Sequence, residues 1–406
     1  MKIAVVGGGA SGICAAISAA RQGADVTIFE RCDRIGRKIL ATGNGRCNYT
    51  NINAGIKNYH GKNAGFVKNT IENFWVDDVM LFFEEIGMLT KVEDKGKAYP
   101  YSLQASAVLD VLRFELEKLK VKIVTNFEVK KIEKKNNSFL IKSYDGKNAD
   151  ADRVILSAGG KASPSLGSNG SGYDIAKNLG LKTTELYPSL VQVKTDTGFV
   201  KALKGIKIDA AVSAVIDNKT VGKSFGEVLF CDYGLSGPAV FDISRICSIN
   251  KNVKIKLDLL PEIDYNSLRD ILTDRKSHQI SLENYFIGMM NKKIGIVLMK
   301  YANILPLSRE SDTLDKKEIA RLCEAIKSFT LNVTGTMSWN NAQVTAGGID
   351  TDQIDSKTFE CKKIKGLYIT GELLDIDGDC GGFNLQWAWS SGYIAGLNAA
   401  SEMKNA

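Results

Sequence analysis

The residues with the clearest chemical meaning stand near the start of the sequence. Ile3-Ala4-Val5-Val6 reads as a short buried strand, Gly7-Gly8-Gly9-Ala10-Ser11-Gly12 turns the chain, and Ile13 to Arg21 reads as a helix of small residues. Gly23 ends that helix, and Asp25-Val26-Thr27-Ile28-Phe29 makes a second strand closing on Glu30. This is a Gly-x-Gly-x-x-Gly loop set between a strand and a helix. Gly7 permits the tight turn, Gly9 lets the backbone approach a pyrophosphate, and Gly12 lets helix and strand pack closely. A pyrophosphate would rest against Gly7, Gly9, Ala10, Ser11 and Gly12, where unpaired N–H groups and the helix dipole favour negative charge. Glu30, at the strand end, is placed to accept hydrogen bonds from a ribose diol. An acid there suits a free 2′-hydroxyl, so NADP is disfavoured while FAD and NAD both remain.

After Glu30 an NAD domain would proceed to another helix and strand. Here a Gly/Asn/Arg-rich loop follows instead, carrying Arg31, Arg37, Lys38, Asn44, Gly45, Arg46 and Cys47. Backbone amides and guanidinium groups in such a loop suit the wrapping of an anionic cofactor, although an exposed basic loop has the same composition.

The run Gly36-Arg37-Lys38-Ile39-Leu40-Ala41-Thr42-Gly43-Asn44-Gly45-Arg46-Cys47-Asn48 resembles a hallmark of the aminoacetone-oxidase-like, or bile-acid-reductase-like, FAD-dependent oxidoreductases. Further segments match in order along almost the whole chain: Tyr99-Pro100-Tyr101-Ser102 with Ala105, Ser157-Ala158-Gly159-Gly160, Gly234-Leu235-Ser236-Gly237-Pro238-Ala239, and Val344-Thr345-Ala346-Gly347-Gly348. Gly371-Glu372-Leu373-Leu374-Asp375 then leads to Gly381-Gly382-Phe383-Asn384-Leu385-Gln386. The resemblance implies FAD as cofactor, with Val129 on the adenine side and the strand end Ala158-Gly159-Gly160 passing near the cofactor. It also implies that Gly371 and Glu372 contact the cofactor and that Asp375 approaches its ribityl chain. The helix opened by Gly382, Asn384 and Leu385 would aim its N-terminus at the pyrimidine edge of the flavin.

The expected fold class is α/β: a Rossmann-like FAD-binding domain of glutathione-reductase type, interrupted by a β-barrel-like module and a helical lid. Residues 1–189 and 341–406 form the two segments of the nucleotide domain. β-branched alternation with Gly turns marks the module at 190–262, joined by part of 328–340. Helical periodicity marks the lid at 263–327. Lid and module would form the substrate cleft against the flavin.

With 406 residues the chain is long for a single core, and its 44% hydrophobic and 24% charged residues are ordinary for a globular protein. No apolar stretch reaches the ~20 residues of a membrane span, and no secretory leader pattern is present, so a cytoplasmic protein is expected. Eight scattered cysteines without a Cys-x-x-Cys pair read as free thiols, and two histidines without a ligand cluster argue against a metal site. Asp375, Asp377 and Asp379 alternate but lack the downstream acid of a calcium loop. The net charge of +7 is spread along the chain, the pattern of a solvated surface rather than a nucleic-acid patch. The pattern fixes no oligomeric state.

No second dinucleotide fingerprint follows, so NADH or NADPH, if used, would dock transiently over the flavin. Cys47, flanked by Arg46, is the candidate nucleophile, as a thiolate or as simple packing. The leading expectation is a flavin reductase of a small enone or steroid-like molecule. An amine oxidase of aminoacetone type, releasing hydrogen peroxide, is the alternative within the class. A flavin-containing RNA-binding or RNA-modifying protein is the alternative outside it.

Overall fold

Five short strands form one parallel sheet in the order Leu367–Ile369, Arg153–Leu156, Lys2–Val6, Asp25–Phe29, Lys122–Val124. Ile3, Ala4, Val5 and Val6 are all buried. A parallel sheet is covered on both faces, which is why this strand reads as a continuous apolar run instead of an alternation. A three-stranded antiparallel meander, Val129–Lys134, Phe139–Ser143 and Asn148–Ala151, leads into the strand Arg153–Leu156. The computed structural model describes residues 1–401. In it the chain divides into two units: residues 1–188 with those from Ala342 onward, and Ser189–Asn341. No helix among the described residues is long and apolar enough to cross a membrane.

Two helices of the first unit matter most: Ala10–Arg21, and the last helix, Phe383–Ser401. A Cβ at Gly392 would collide with the Ser11 carbonyl, and one at Gly396 with the Ala15 carbonyl. The pairs advance together along both helices, so the helices run in the same sense and present their N-termini on one side. Contact this close requires glycine, because no other residue lacks the Cβ.

Two local expectations are corrected. The first helix starts at Ala10 rather than Ile13, because Gly9 in extended conformation already serves as its N-cap. The stretch after Glu30 is not a continuous loop: Arg37–Ala41 is a helical turn. Gly36 precedes it in the left-handed region (φ 73°) and sits against Leu109, and Ile39 is buried beneath it.

The second unit holds a closed antiparallel barrel in the order Val193–Thr195, Gly234–Ser236, Lys219–Cys231, Lys207–Ile216, Lys254–Asp258, Phe329–Thr336. Inward positions alternate along the strands, as in Ala210, Val212 and Ala214, or Ile255 and Leu257. The helix Pro238–Ile249 starts on Pro at its first position, where the missing N–H costs nothing. Three further helices, Tyr265–Asp274, Lys292–Tyr301 and Lys316–Lys327, are capped by Asp264, Asn291 and Asp315. Their Leu268, Leu298 and Leu322 share a single apolar core with Val212, Phe230 and Leu257 of the barrel.

Candidate functional site

The glycine turn shows which of its glycines answer to the protein and which do not. Gly7 has φ 105°, and a Cβ there would lie 2.5 Å from the Ser157 carbonyl oxygen; one at Gly12 would strike the Gly7 carbonyl. Both are therefore required by packing of strand, turn and helix. A Cβ at Gly9, by contrast, meets nothing within 4 Å. The space in front of the helix N-terminus is open, no side chain caps that end, and no acid stands in its first turn. An open, uncapped N-terminus of this kind has the shape and polarity that a dinucleotide pyrophosphate needs.

Glu30 anchors the turn from below. Its Oε2 accepts from the Gly8 N–H (2.8 Å) and its Oε1 from the Cys32 N–H (2.8 Å). Each carboxylate oxygen keeps a second lone pair for a ribose hydroxyl. Gly8 emerges here as a further constrained residue, pressed against Ile35. Nothing beyond the glycine run singles it out in the sequence.

The cations expected to wrap the cofactor each hold a partner within the protein. Arg31 donates to the Gly167 carbonyl (3.3 Å), Arg37 to the Ser165 carbonyl (3.1 Å), and Arg46 to Glu93 (2.6 Å) while lying over the Tyr99 ring. Lys38 pairs with Glu372 (2.8 Å), so two expected cofactor residues neutralise each other. Glu372 also accepts from the Thr345 N–H, and the Thr345 hydroxyl accepts from the Lys161 and Ala162 N–H groups. Gly160 faces this network, where a Cβ would meet Glu372 at 2.5 Å. Thr345 thus ties Glu372 to the backbone after Gly160, a link that only its spatial partners reveal. Asn44 and Gly45 stand exposed in left-handed conformation, and Val129 is buried at the start of its strand.

Cys47 is fully buried, and burial pushes its thiol up to about 12, with a hydrogen bond to Thr42 opposing. Of the two readings the sequence left open, thiolate or packing, the burial of Cys47 favours packing, and the Arg46 guanidinium beside it pairs with Glu93. Cys47 packs.

At the other edge, Ala158 and Gly159 (φ 72°) leave the strand end beside Gly7 and Ser168. Gly371 is gripped at both backbone groups: its N–H donates to the Ser391 hydroxyl (3.0 Å), and its carbonyl accepts from the Trp387 indole (3.0 Å). Gly382 (φ 99°) turns the chain into the last helix against the Thr50 carbonyl. The Asn384 side chain then accepts from the Gly378 N–H (2.8 Å) and donates to the Gly378 carbonyl (2.8 Å), while Leu385 is partly buried in the same turn. Asp375 is buried and accepts from the Lys62 N–H (3.1 Å). Asp379 binds His60 (2.7 Å) and Asn58 (3.0 Å), so the alternating acids pin a backbone segment instead of converging. Among the described residues no group of three or more His, Cys, Asp or Glu could share a metal ion. Tyr173, donating to the Glu372 carbonyl, has its phenol raised well above the ordinary value by burial and then by Glu372, Asp375 and Asp377.

Parallel sheet, glycine turn, strand-end acid and two co-directed helix N-termini define a FAD-binding domain of Rossmann type. The family model described as "HI0933-like protein Rossmann domain" matches residues 1–398, and the chain belongs to that family. It is 40% identical to a "3-dehydro-bile acid delta(4,6)-reductase" of Clostridium scindens, over 98% of this chain and 99% of that protein. It is 31% identical to a "Ribosomal RNA dihydrouridine synthase" of Haemophilus influenzae, over 98% of both chains. Among solved structures, the open conformation of a flavocytochrome c3 fumarate reductase aligns with TM-score 0.48 and 15% identity, covering 98% of this chain and 78% of that one. The chain is an oxidoreductase of this flavoprotein class.

Proposed function

We propose that the chain is an FAD-dependent reductase that saturates a carbon–carbon double bond conjugated with a carbonyl in a small, steroid-like molecule, drawing electrons from NADH or NADPH. The observation that carries this reading is the 40% identity, end to end, with a protein named for reducing such bonds. When bound, FAD would supply the hydride chemistry. The chain's own residues would do the rest. The N–H groups from Gly9 onward would hold the pyrophosphate, and Glu30 would hold the ribose. The N-terminus of the last helix, fixed by Gly382 and Asn384, would stabilise negative charge at the flavin edge.

A second reading has its own support. Relatives at 31% and 29% identity carry the name of a ribosomal RNA dihydrouridine synthase. Dihydrouridine is uridine whose ring double bond, conjugated with a carbonyl, has been saturated. Both names therefore describe one bond chemistry on substrates of very different size. Amine oxidation with peroxide release rests on the sequence resemblance alone.

The test begins with the purified holoprotein, mixed anaerobically with NADH and separately with NADPH while the flavin absorbance is followed. Bleaching by either, then re-oxidation by a 3-oxo-4,6-diene steroid without peroxide, is the expected result. Bleaching by amines but not by either nicotinamide would overturn the reductase reading. Re-oxidation by uridine-containing RNA and not by the steroid would install the second reading in its place.

A further inference from the structure

The chain has two histidines, and one of them is held by a carboxylate just before the last helix. Tyr59–His60 forms a short antiparallel ladder with Asp377–Gly378, in which His60 lies opposite Asp377 and Tyr59 opposite Gly378. The ladder is tied to the helix Phe383–Ser401 at two points. The Tyr59 hydroxyl donates to the Phe383 carbonyl (3.0 Å), and the Asn384 amide donates to the Asp379 carbonyl (3.2 Å). His60 is therefore fixed, through Asp379, to the first turn of the helix whose N-terminus is proposed above to face the flavin.

The Asp379 carboxylate is itself held in place. Its Oδ2 accepts from the Asn58 amide (3.0 Å), and the Asp379 N–H donates to the Asn58 carbonyl (3.0 Å). Oδ1 then lies 2.7 Å from His60 Nε2. A carboxylate can only accept, so Nε2 carries the hydrogen of this bond. Nδ1 has no hydrogen-bond partner among the described residues, and the side chain is 38% exposed, so this nitrogen is free to meet a ligand. The titratable neighbours Tyr59, Lys62 and Asp375 are occupied. Tyr59 donates to Phe383, Lys62 pairs with Asp350 and Asp352 (2.9 Å each), and Asp375 accepts from the Lys62 N–H. A histidine with one nitrogen held by a carboxylate presents the other as its working proton site.

We propose that His60 is the proton donor of the reduction, with Asp379 as its positioning residue. The inference rests on the reductase reading above and names a residue for its chemistry. The terminal carbon of the conjugated system receives the hydride that reduced FAD supplies, the π electrons shift to the carbonyl oxygen, and that oxygen takes the Nδ1 proton. FAD is thereby oxidised as the double bond is saturated, and the imidazole is left neutral with its Nε2–H on Asp379. The enol so formed tautomerises to the ketone, and water returns a proton to Nδ1. Histidine suits the role because it gives up and regains a proton near neutral pH.

In the experiment the full-length holoprotein is reduced anaerobically with dithionite, and its re-oxidation by a 3-oxo-4,6-diene steroid is followed at the flavin band. His60→Ala should slow this step by about a hundredfold or more. Ferricyanide, which takes electrons without needing a proton on a carbonyl, should re-oxidise the variant at the parental rate and with parental FAD content. Asp379→Asn should slow the steroid step and leave the ferricyanide step unchanged. A readout without turnover is calorimetric titration of the oxidised holoprotein with a saturated 3-oxo steroid. His60→Ala should bind it about tenfold more weakly, while the 3-deoxy steroid binds parent and variant alike. Parental re-oxidation of His60→Ala by the steroid overturns the inference, as does a loss shared with ferricyanide or an unchanged affinity for the 3-oxo steroid. A parent that the steroid does not re-oxidise overturns the reductase reading together with this inference. A competent parent matched by His60→Ala overturns this inference alone.

Discussion

Gly392 of the last helix lies against the backbone of Ser11 in the first, so close that a Cβ would overlap the Ser11 carbonyl. Both residues stand within the first three turns of their helices, and Gly371, held by Trp387 and Ser391, is pressed on the Ser11 side chain from the opposite side. The contact sets the spacing of the two helix N-termini proposed to hold the cofactor. Gly392→Ala should separate them, with loss of bound FAD and destabilisation of about 1–3 kcal/mol as for other overpacked cores. Urea unfolding with a flavin absorbance spectrum on the purified variant checks this. Full FAD occupancy at parental stability would show that the spacing is not set here.

Gly9 and Gly12 separate folding from cofactor binding. A Cβ at Gly9 enters open space, so Gly9→Ala should fold with near-parental stability as apoprotein yet bind FAD at least tenfold more weakly. Gly12→Ala collides with the Gly7 carbonyl and should impair folding itself. Circular dichroism melts of the two apoproteins, set beside FAD titrations, distinguish these outcomes. If Gly9→Ala retains parental affinity, the pyrophosphate does not lie where the open space is.

Cys47 should behave as an inert core thiol. Because burial lifts its folded value above the ordinary range, its contribution to stability is complete below the unfolded thiol value of about 8.5. That contribution is lost as pH rises from there toward about 12. At pH 8 thiol reagents should label the partly exposed Cys32, Cys231 and Cys380 well before Cys47. Cys47→Ala should keep both FAD and turnover. Rapid native labelling of Cys47, located by peptide mass, would contradict this account.

Glu115 predicts a response in acid. Its buried carboxylate would be raised by burial, but Arg21 (3.0 and 2.9 Å) and Lys118 (3.2 Å) outweigh that and hold it below the usual carboxylate range. A depressed folded value means that the stabilisation is present above the unfolded value of about 4.3 and fades as pH falls through the folded one. Glu115→Gln should therefore cost about 1–2 kcal/mol at pH 7 and progressively less below pH 4. Equal denaturation midpoints for variant and parent at pH 7 would remove Glu115 from the account.

The cofactor class was legible in the sequence because its determinants are local. Strand, glycine turn, helix and terminal acid lie within thirty residues, and the geometry of each follows from neighbours a few positions away. The barrel announced itself through alternation and Gly turns, again a short-range signal. The helical turn at Arg37–Ala41 was hidden by a composition rich in Gly and Arg, and only burial of Ile39 explains it.

What the tertiary structure decided is which groups meet across long stretches of chain. Composition marks Arg31, Arg37, Lys38 and Arg46 as anion ligands, but it cannot show that Gly167, Ser165, Glu372 and Glu93 are their partners in the fold. The pairing of Gly392 with Ser11, and the register that sets Lys223 and Lys256 on either side of Ser213, are likewise products of helix packing and strand pairing. Spacing within one element sets which face a side chain shares. Which partner that face finds depends on how distant elements pack, and no short window of sequence carries that information.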